Sequence, residues 1–197
     1  MSYTVAAQQP TLTARATRAV GHRKLGMWLF LGSEVMFFGG LISTFVHFKA
    51  RNPAASELLN IPLTTVNTFL LLASSYAVVR ALSAIRRNDA LSLWNNLILT
   101  WFLGVGFLMG QALEFSKLSY EGVTLHTIFG STFFVTTGFH GFHVFVGLVW
   151  LSILLIKVYR RKLARASHDM QVEIFGLYWH FVDIVWIILF TVIYLVR

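Results

Sequence analysis

The chain has 197 residues, 56% of them hydrophobic and only 12% charged, with 18 phenylalanines and a mean hydropathy of +0.68. About a quarter of a soluble domain is charged, and one soluble core of this size would need far more charge to cover its surface. A soluble enzyme, a nucleic-acid binder and a sizeable extramembrane domain are thereby excluded. The formal charge of +8, from 16 Lys and Arg against 8 Asp and Glu, reads first as an orientation signal in a membrane chain. Cysteine is absent, so no disulfide, iron–sulfur cluster or thiolate copper site can be built from it.

Residues 1–24 are polar and read as a basic tail carrying Arg15, Arg18, Arg23 and Lys24 rather than as a secretory signal. Five apolar runs follow, near 26–48, 62–82, 93–115, 126–157 and 172–196. Each is long enough to cross a bilayer, which takes roughly 20 apolar residues. Backbone groups in lipid must be bonded internally, so the runs are expected to be helices. The fold class is all-α, a polytopic bundle of five transmembrane helices over residues 25–197. Links fall at Asn52-Pro53, at Arg86-Arg87-Asn88-Asp89, at Ser116–Leu125 and at Lys157–Asp169. The fourth run overshoots a hydrocarbon core of ~30 Å and should tilt or project from it. With the N-terminus in the cytoplasm, twelve of the 16 Lys and Arg lie inside and four (Lys49, Arg51, Lys117, Arg197) outside. That places the C-terminus outside. Arg160 and Arg161 would sit at the cytoplasmic headgroup level, where they should attract anionic lipid.

Polar residues at membrane depth are costly and usually face protein or water. The second run carries Thr64, Asn67 and Ser74; the third Thr100, Gly104, Gln111 and Glu114. The fourth carries Thr132, Thr136, His140, His143 and Gly147; the fifth Glu173, Gly176, His180 and Asp183. Steps of three, four and seven keep each set on one helical face. The plain reading is a bundle whose polar faces meet inside. His140, His143 and His180 could instead ligate a metal or haem. Gly138, Gly141 and Gly147 around the pair point rather to close packing, with each imidazole bonded to a neighbouring helix. His180 and Asp183, one turn apart, suit either a structural hydrogen bond or half of a proton relay. Glu34 lies about 12 Å into the first run at 1.5 Å per residue. No Lys or Arg stands between Met27 and His47, so Glu34 is protonated or partnered from another helix, a lipid or water. Gly26, Ser33 and Gly40 recur every seven residues and predict that this helix packs closely on another. Gly106 and Gly110 form a small-xxx-small motif.

Several segments together resemble one family, subunit III of haem–copper terminal oxidases. They are Gly32-Ser33-Glu34-Val35-Met36-Phe37-Phe38, Asn67 through Ser75, and Gln111-Ala112-Leu113-Glu114-Phe115. The most specific are Gly130 through His143 and Tyr178-Trp179-His180-Phe181-Val182-Asp183-Ile184-Val185-Trp186. The resemblance covers about residues 22–197 and is to the short five-helix form typical of bacteria. It implies a chain that holds no haem, copper or catalytic residue of its own; those cofactors are expected on partner subunits. It also implies direct packing on subunit I, with subunit II and a subunit IV in the same complex, and phospholipid held in a cleft near Glu34. The complex would pass electrons to O₂, form water and pump protons across a bacterial plasma membrane. Ser33-Glu34-Val35 and Tyr178-Trp179-His180 look closer to the branch fed by cytochrome c than to the quinol branch. Either donor would bind other subunits, and no nucleic acid is implied. A free-standing transporter is the other class to test, although no internal repeat supports it.

Overall fold

The computed structural model describes residues 12–49, 59–160 and 169–196, with side chains from His22 onward. Those residues form five helices: α1 (Leu12–Lys49), α2 (Ile61–Arg86), α3 (Ala90–Tyr120), α4 (Ile128–Tyr159) and α5 (Asp169–Phe190). A π-helical turn, Thr191–Leu195, completes α5. All five are long and apolar enough to cross a membrane.

Helices α2 and α3 outrun the apolar stretches and α4 is shifted along its own by two residues, with local polar groups closing the helix starts. Asn60 accepts from the Leu63 N–H, Asp89 from Ser92 and Thr127 from Gly130, each satisfying an otherwise orphaned donor. At the α2–α3 turn Asn88 adopts a left-handed φ of 57°, which Asn tolerates better than most residues. The largest shift is at the start. Helix α1 begins at Leu12, inside the stretch expected to be a tail. After Pro10 that stretch holds Ala, Arg and Leu and no further proline, which suits helix.

Helices α2, α3, α4 and α5 close a ring in which each packs on the next and α5 returns to α2; α1 lies outside it, against α4 and α5. Two tryptophans of α5 fill the centre. The Trp179 ring lies against Gly104 of α3 and Gly147 of α4, and its Nε1–H donates to Ser74 of α2 at 2.9 Å. One turn pair further on, Trp186 donates to Thr68 at 3.0 Å. Glycine at 104 and 147 is therefore the space that Trp179 occupies. A Cβ at Gly147 would stand 2.7 Å from that ring.

The expected small-residue seam of α1 is not a packing face within this chain. A Cβ added at Gly26 or Gly40 meets nothing within 4 Å, and Ser33 is exposed. The buried stripe is Leu31, Phe38 and Phe45 instead. It also repeats every seven residues, offset from the small set by two, about 200° around the helix. Burial of large apolar side chains wins over close backbone approach. In α3 the small motif does pack: Gly110 lies against the Asn67 amide, and a Cβ added at Gly106 would stand 3.6 Å from Leu70.

Candidate functional site

Halfway along α1, Glu34 finds its partner on α4. Its Oε2 lies 3.3 Å from His143 Nε2, with the two side chains 18% and 13% exposed. His143 Nδ1 is 2.8 Å from the Phe139 carbonyl. A carbonyl only accepts, so Nδ1 carries a proton. The Nε2–Glu34 contact then needs one more proton, either on Nε2 facing a carboxylate or on the carboxyl facing a neutral imidazole. Both arrangements are neutral overall, which is what this depth favours. Phe38 lies edge-on to the imidazole at 5.1 Å between centroids, and the Tyr178 hydroxyl donates to the His143 carbonyl at 2.9 Å.

A second carboxylate is fully inside. Glu114, 2% exposed, accepts from Thr64 at 2.9 Å and from the Tyr194 hydroxyl at 2.8 Å. Tyr194 belongs to the π-helical turn, and the Lys49 ammonium of α1 donates to the carbonyls of Val192, Ile193 and Val196 around that turn. A cation at a helix C-terminus is favourably placed against its dipole. Asn67 donates to the Phe107 carbonyl at a long 3.4 Å.

His180 and Asp183 do not form an isolated pair. The Ser75 hydroxyl of α2 lies 2.6 Å from His180 Nδ1 and faces the Asp183 carboxyl as well. Asp183 Oδ1 keeps no hydrogen-bond partner. His140 departs from the expected hydrogen bond: it is fully buried, and neither ring nitrogen has a partner. It stacks on Trp186 at 4.9 Å and meets Phe107 edge-on at 5.7 Å. The three histidines thus go to three different neighbours, Trp186, Glu34 and Ser75. Among the described residues no three His, Asp or Glu side chains gather as a metal set.

Charge collects at one end of the bundle. Glu173 pairs with Lys24 of α1 at 2.8 Å and lies 3.8 Å from Arg86 of α2; Arg86 also reaches Asp169 at 3.5 Å. These partly exposed pairs add at most about 1 kcal/mol each, so they set register more than stability. Arg160 caps α4 and is exposed at that end; Arg161 lies outside the described residues. From sequence, Tyr178, Trp179 and Trp186 enter only as members of a family-like segment and Lys49 only as an outside charge, while Tyr194 is not singled out. A Trp in an apolar run does carry a signal, since its buried N–H must find an acceptor. Tyr194 and Lys49 gave none, because their partners are 80 and 143 or more residues away.

Residues 4–196 match the family described as cytochrome c oxidase subunit III. The quinol oxidase subunit 3 of Bacillus subtilis (strain 168) is 39% identical over 87% of this chain and 85% of its own length. The cytochrome c oxidase subunits 3 of Bacillus sp. (strain PS3) and Alkalihalophilus pseudofirmus are 37% and 35% identical, over 94% of this chain and 92% of theirs. Relatives named for either donor therefore match about equally well.

Proposed function

The chain belongs to the cytochrome c oxidase subunit III family, and from that premise we propose that it is the non-catalytic, supporting subunit of a proton-pumping haem–copper oxidase. Family membership and five membrane-length helices make it a multi-pass membrane subunit of an oxidase complex. In our reading it packs on subunit I beside subunit II, in a bacterial plasma membrane. Haem and copper reside on the partners, phospholipid is held on this chain, and sustained turnover and proton uptake depend on it. The donor is cytochrome c, on the runs around Glu34 and His180; quinol is the other donor named among the relatives.

The observation that supports a structural role is that several membrane-depth polar groups are engaged by protein, although neither ring nitrogen of His140 is. Glu34 meets His143, Glu114 meets Thr64 and Tyr194, and His180 meets Ser75. Such groups hold helices in register, because leaving one unpaired in a dry interior costs about 1–3 kcal/mol. The test is to tag this chain, purify it in mild detergent and record reduced-minus-oxidised spectra before and after separating the subunits. Haem absorbance should accompany the complex and leave with the other chains, and reduced cytochrome c should drive O₂ uptake. A colourless chain purified alone overturns the reading, and uptake driven by quinol alone reassigns the donor.

A further inference from the structure

Inside the ring, polar atoms of α3 and α4 border one stretch of the seam between those helices without meeting a partner. The Gln111 amide of α3 lies across α4, and its Nε2 donates to the Thr137 carbonyl at 2.9 Å. A carbonyl only accepts, so this bond fixes which end of the amide is which. The amide oxygen is then turned along α4 towards Gly141, where an added Cβ would stand 3.0 Å from it. Glycine at 141 is what lets the amide lie so close. Gln111 is 5% exposed, and its Oε1 has no hydrogen-bond partner.

His140 sits on the same turn of α4, between Thr137 and Gly141. Its ring meets Phe107 of α3 edge-on at 5.7 Å, and Phe107 stands one turn before Gln111 on the same face of α3. The imidazole and the amide therefore border the same part of the seam. Trp186 of α5 stacks on the imidazole at 4.9 Å. The ring is fully buried, and neither nitrogen has a partner.

The chemistry of these atoms is complementary to one small molecule. A neutral imidazole offers one N–H and one bare nitrogen, while the amide oxygen offers only lone pairs. Buried polar atoms are bonded, as a rule, to protein or to ordered water, and the low dielectric of the interior makes an unmade bond there costly. We propose that the α3–α4 seam holds one ordered water, which donates to Gln111 Oε1 and is hydrogen-bonded to a ring nitrogen of His140. Water both donates and accepts, so it suits either tautomer of the ring. A buried water makes two to four such bonds, and these two residues supply the first two. A metal ion would need a larger donor set, and among the described residues no three His, Asp or Glu side chains gather as one. The water ties α3 to α4 beside the Gln111–Thr137 bond. The site requires only the packing of the bundle, so it does not rest on the oxidase role or on the donor.

The experiment is a cryo-EM map of the intact complex, at a resolution that shows ordered water, for the parent and for His140→Phe. In the parent a separate spherical peak should stand about 2.6–3.2 Å from both Gln111 Oε1 and one ring nitrogen of His140. His140→Phe keeps an aromatic ring against Trp186 but removes both nitrogens, and the peak should be lost. A parent map without the peak overturns the proposal. So does an imidazole bonded directly to Gln111 or to another protein group, or a peak that His140→Phe leaves in place. Thermal release of this subunit from the complex gives a second reading. A water shared by two residues makes their substitutions non-additive. His140→Phe and Gln111→Leu together should lower the release temperature by less than the sum of the two single changes, and additive shifts overturn the proposal.

Discussion

Glu34 and His143 meet across two helices, a partnership that neither residue type announces alone. His143 Nδ1 donates to the Phe139 carbonyl, which leaves Nε2 facing the Glu34 carboxyl at 3.3 Å. Replacing Glu34 by Gln keeps an amide donor for a neutral imidazole in nearly the same shape. Glu34→Gln is expected to assemble and to begin O₂ consumption at a rate close to the parent. Glu34→Ala leaves Nε2 unpaired at membrane depth, a loss of about 1–3 kcal/mol. It should shorten the active lifetime and loosen lipid retention. Recording O₂ consumption by both variants over many turnovers separates the cases. Inactivity of Glu34→Gln from the first turnover would mean that Glu34 carries an obligatory proton.

Glycines with the same helical periodicity do different work on different helices. Gly147 makes room for Trp179, whereas a Cβ at Gly138 on the same helix meets nothing within 4 Å. Gly147→Ala should therefore destabilise the chain by about 1–3 kcal/mol, as overpacking against a rigid ring does. Gly138→Ala should be neutral or stabilising by up to about 1 kcal/mol through helix propensity. Thermal unfolding of the two purified variants, followed by tryptophan fluorescence, decides this; equal behaviour would remove the wedge argument. The same contrast marks what could be read from sequence. Five helices and their inward polar faces were legible, because apolar length and three-to-four spacing are local properties. The partner of Glu34 was legible only as a class, since nothing in one helix names His143 on another. Which of the two seven-residue repeats on α1 packs within this chain was not legible, and only tertiary contact chose Leu31, Phe38 and Phe45. The Ser75 partner of His180 needed the α2–α5 contact itself, across 105 residues of chain.

At the scale of the molecule, α1 is a strut fixed to the ring at three levels. Lys24 holds Glu173 at one end, Glu34 meets His143 midway, and Lys49 clasps the end of α5 at the other. Two of these ties are to α5, so α1 and α5 must run the same way through the bilayer, from the Lys24–Glu173 end to the Lys49–π-turn end. An odd number of spans then puts the two termini on opposite sides. The charge distribution selects which is which: Arg86, Lys157 and Arg160 share an end with Lys24, while Lys117 and Lys49 are at the other. Positive residues are retained on the cytoplasmic side, so the Arg86 end should face the cytoplasm. The absence of cysteine makes this directly measurable with single introduced thiols. Tyr120→Cys, at a 92% exposed position on the opposite end, should react with a membrane-impermeant maleimide in intact cells. Arg87→Cys, exposed at the turn after α2, should react only once the membrane is permeabilised. The reverse pattern would invert the orientation.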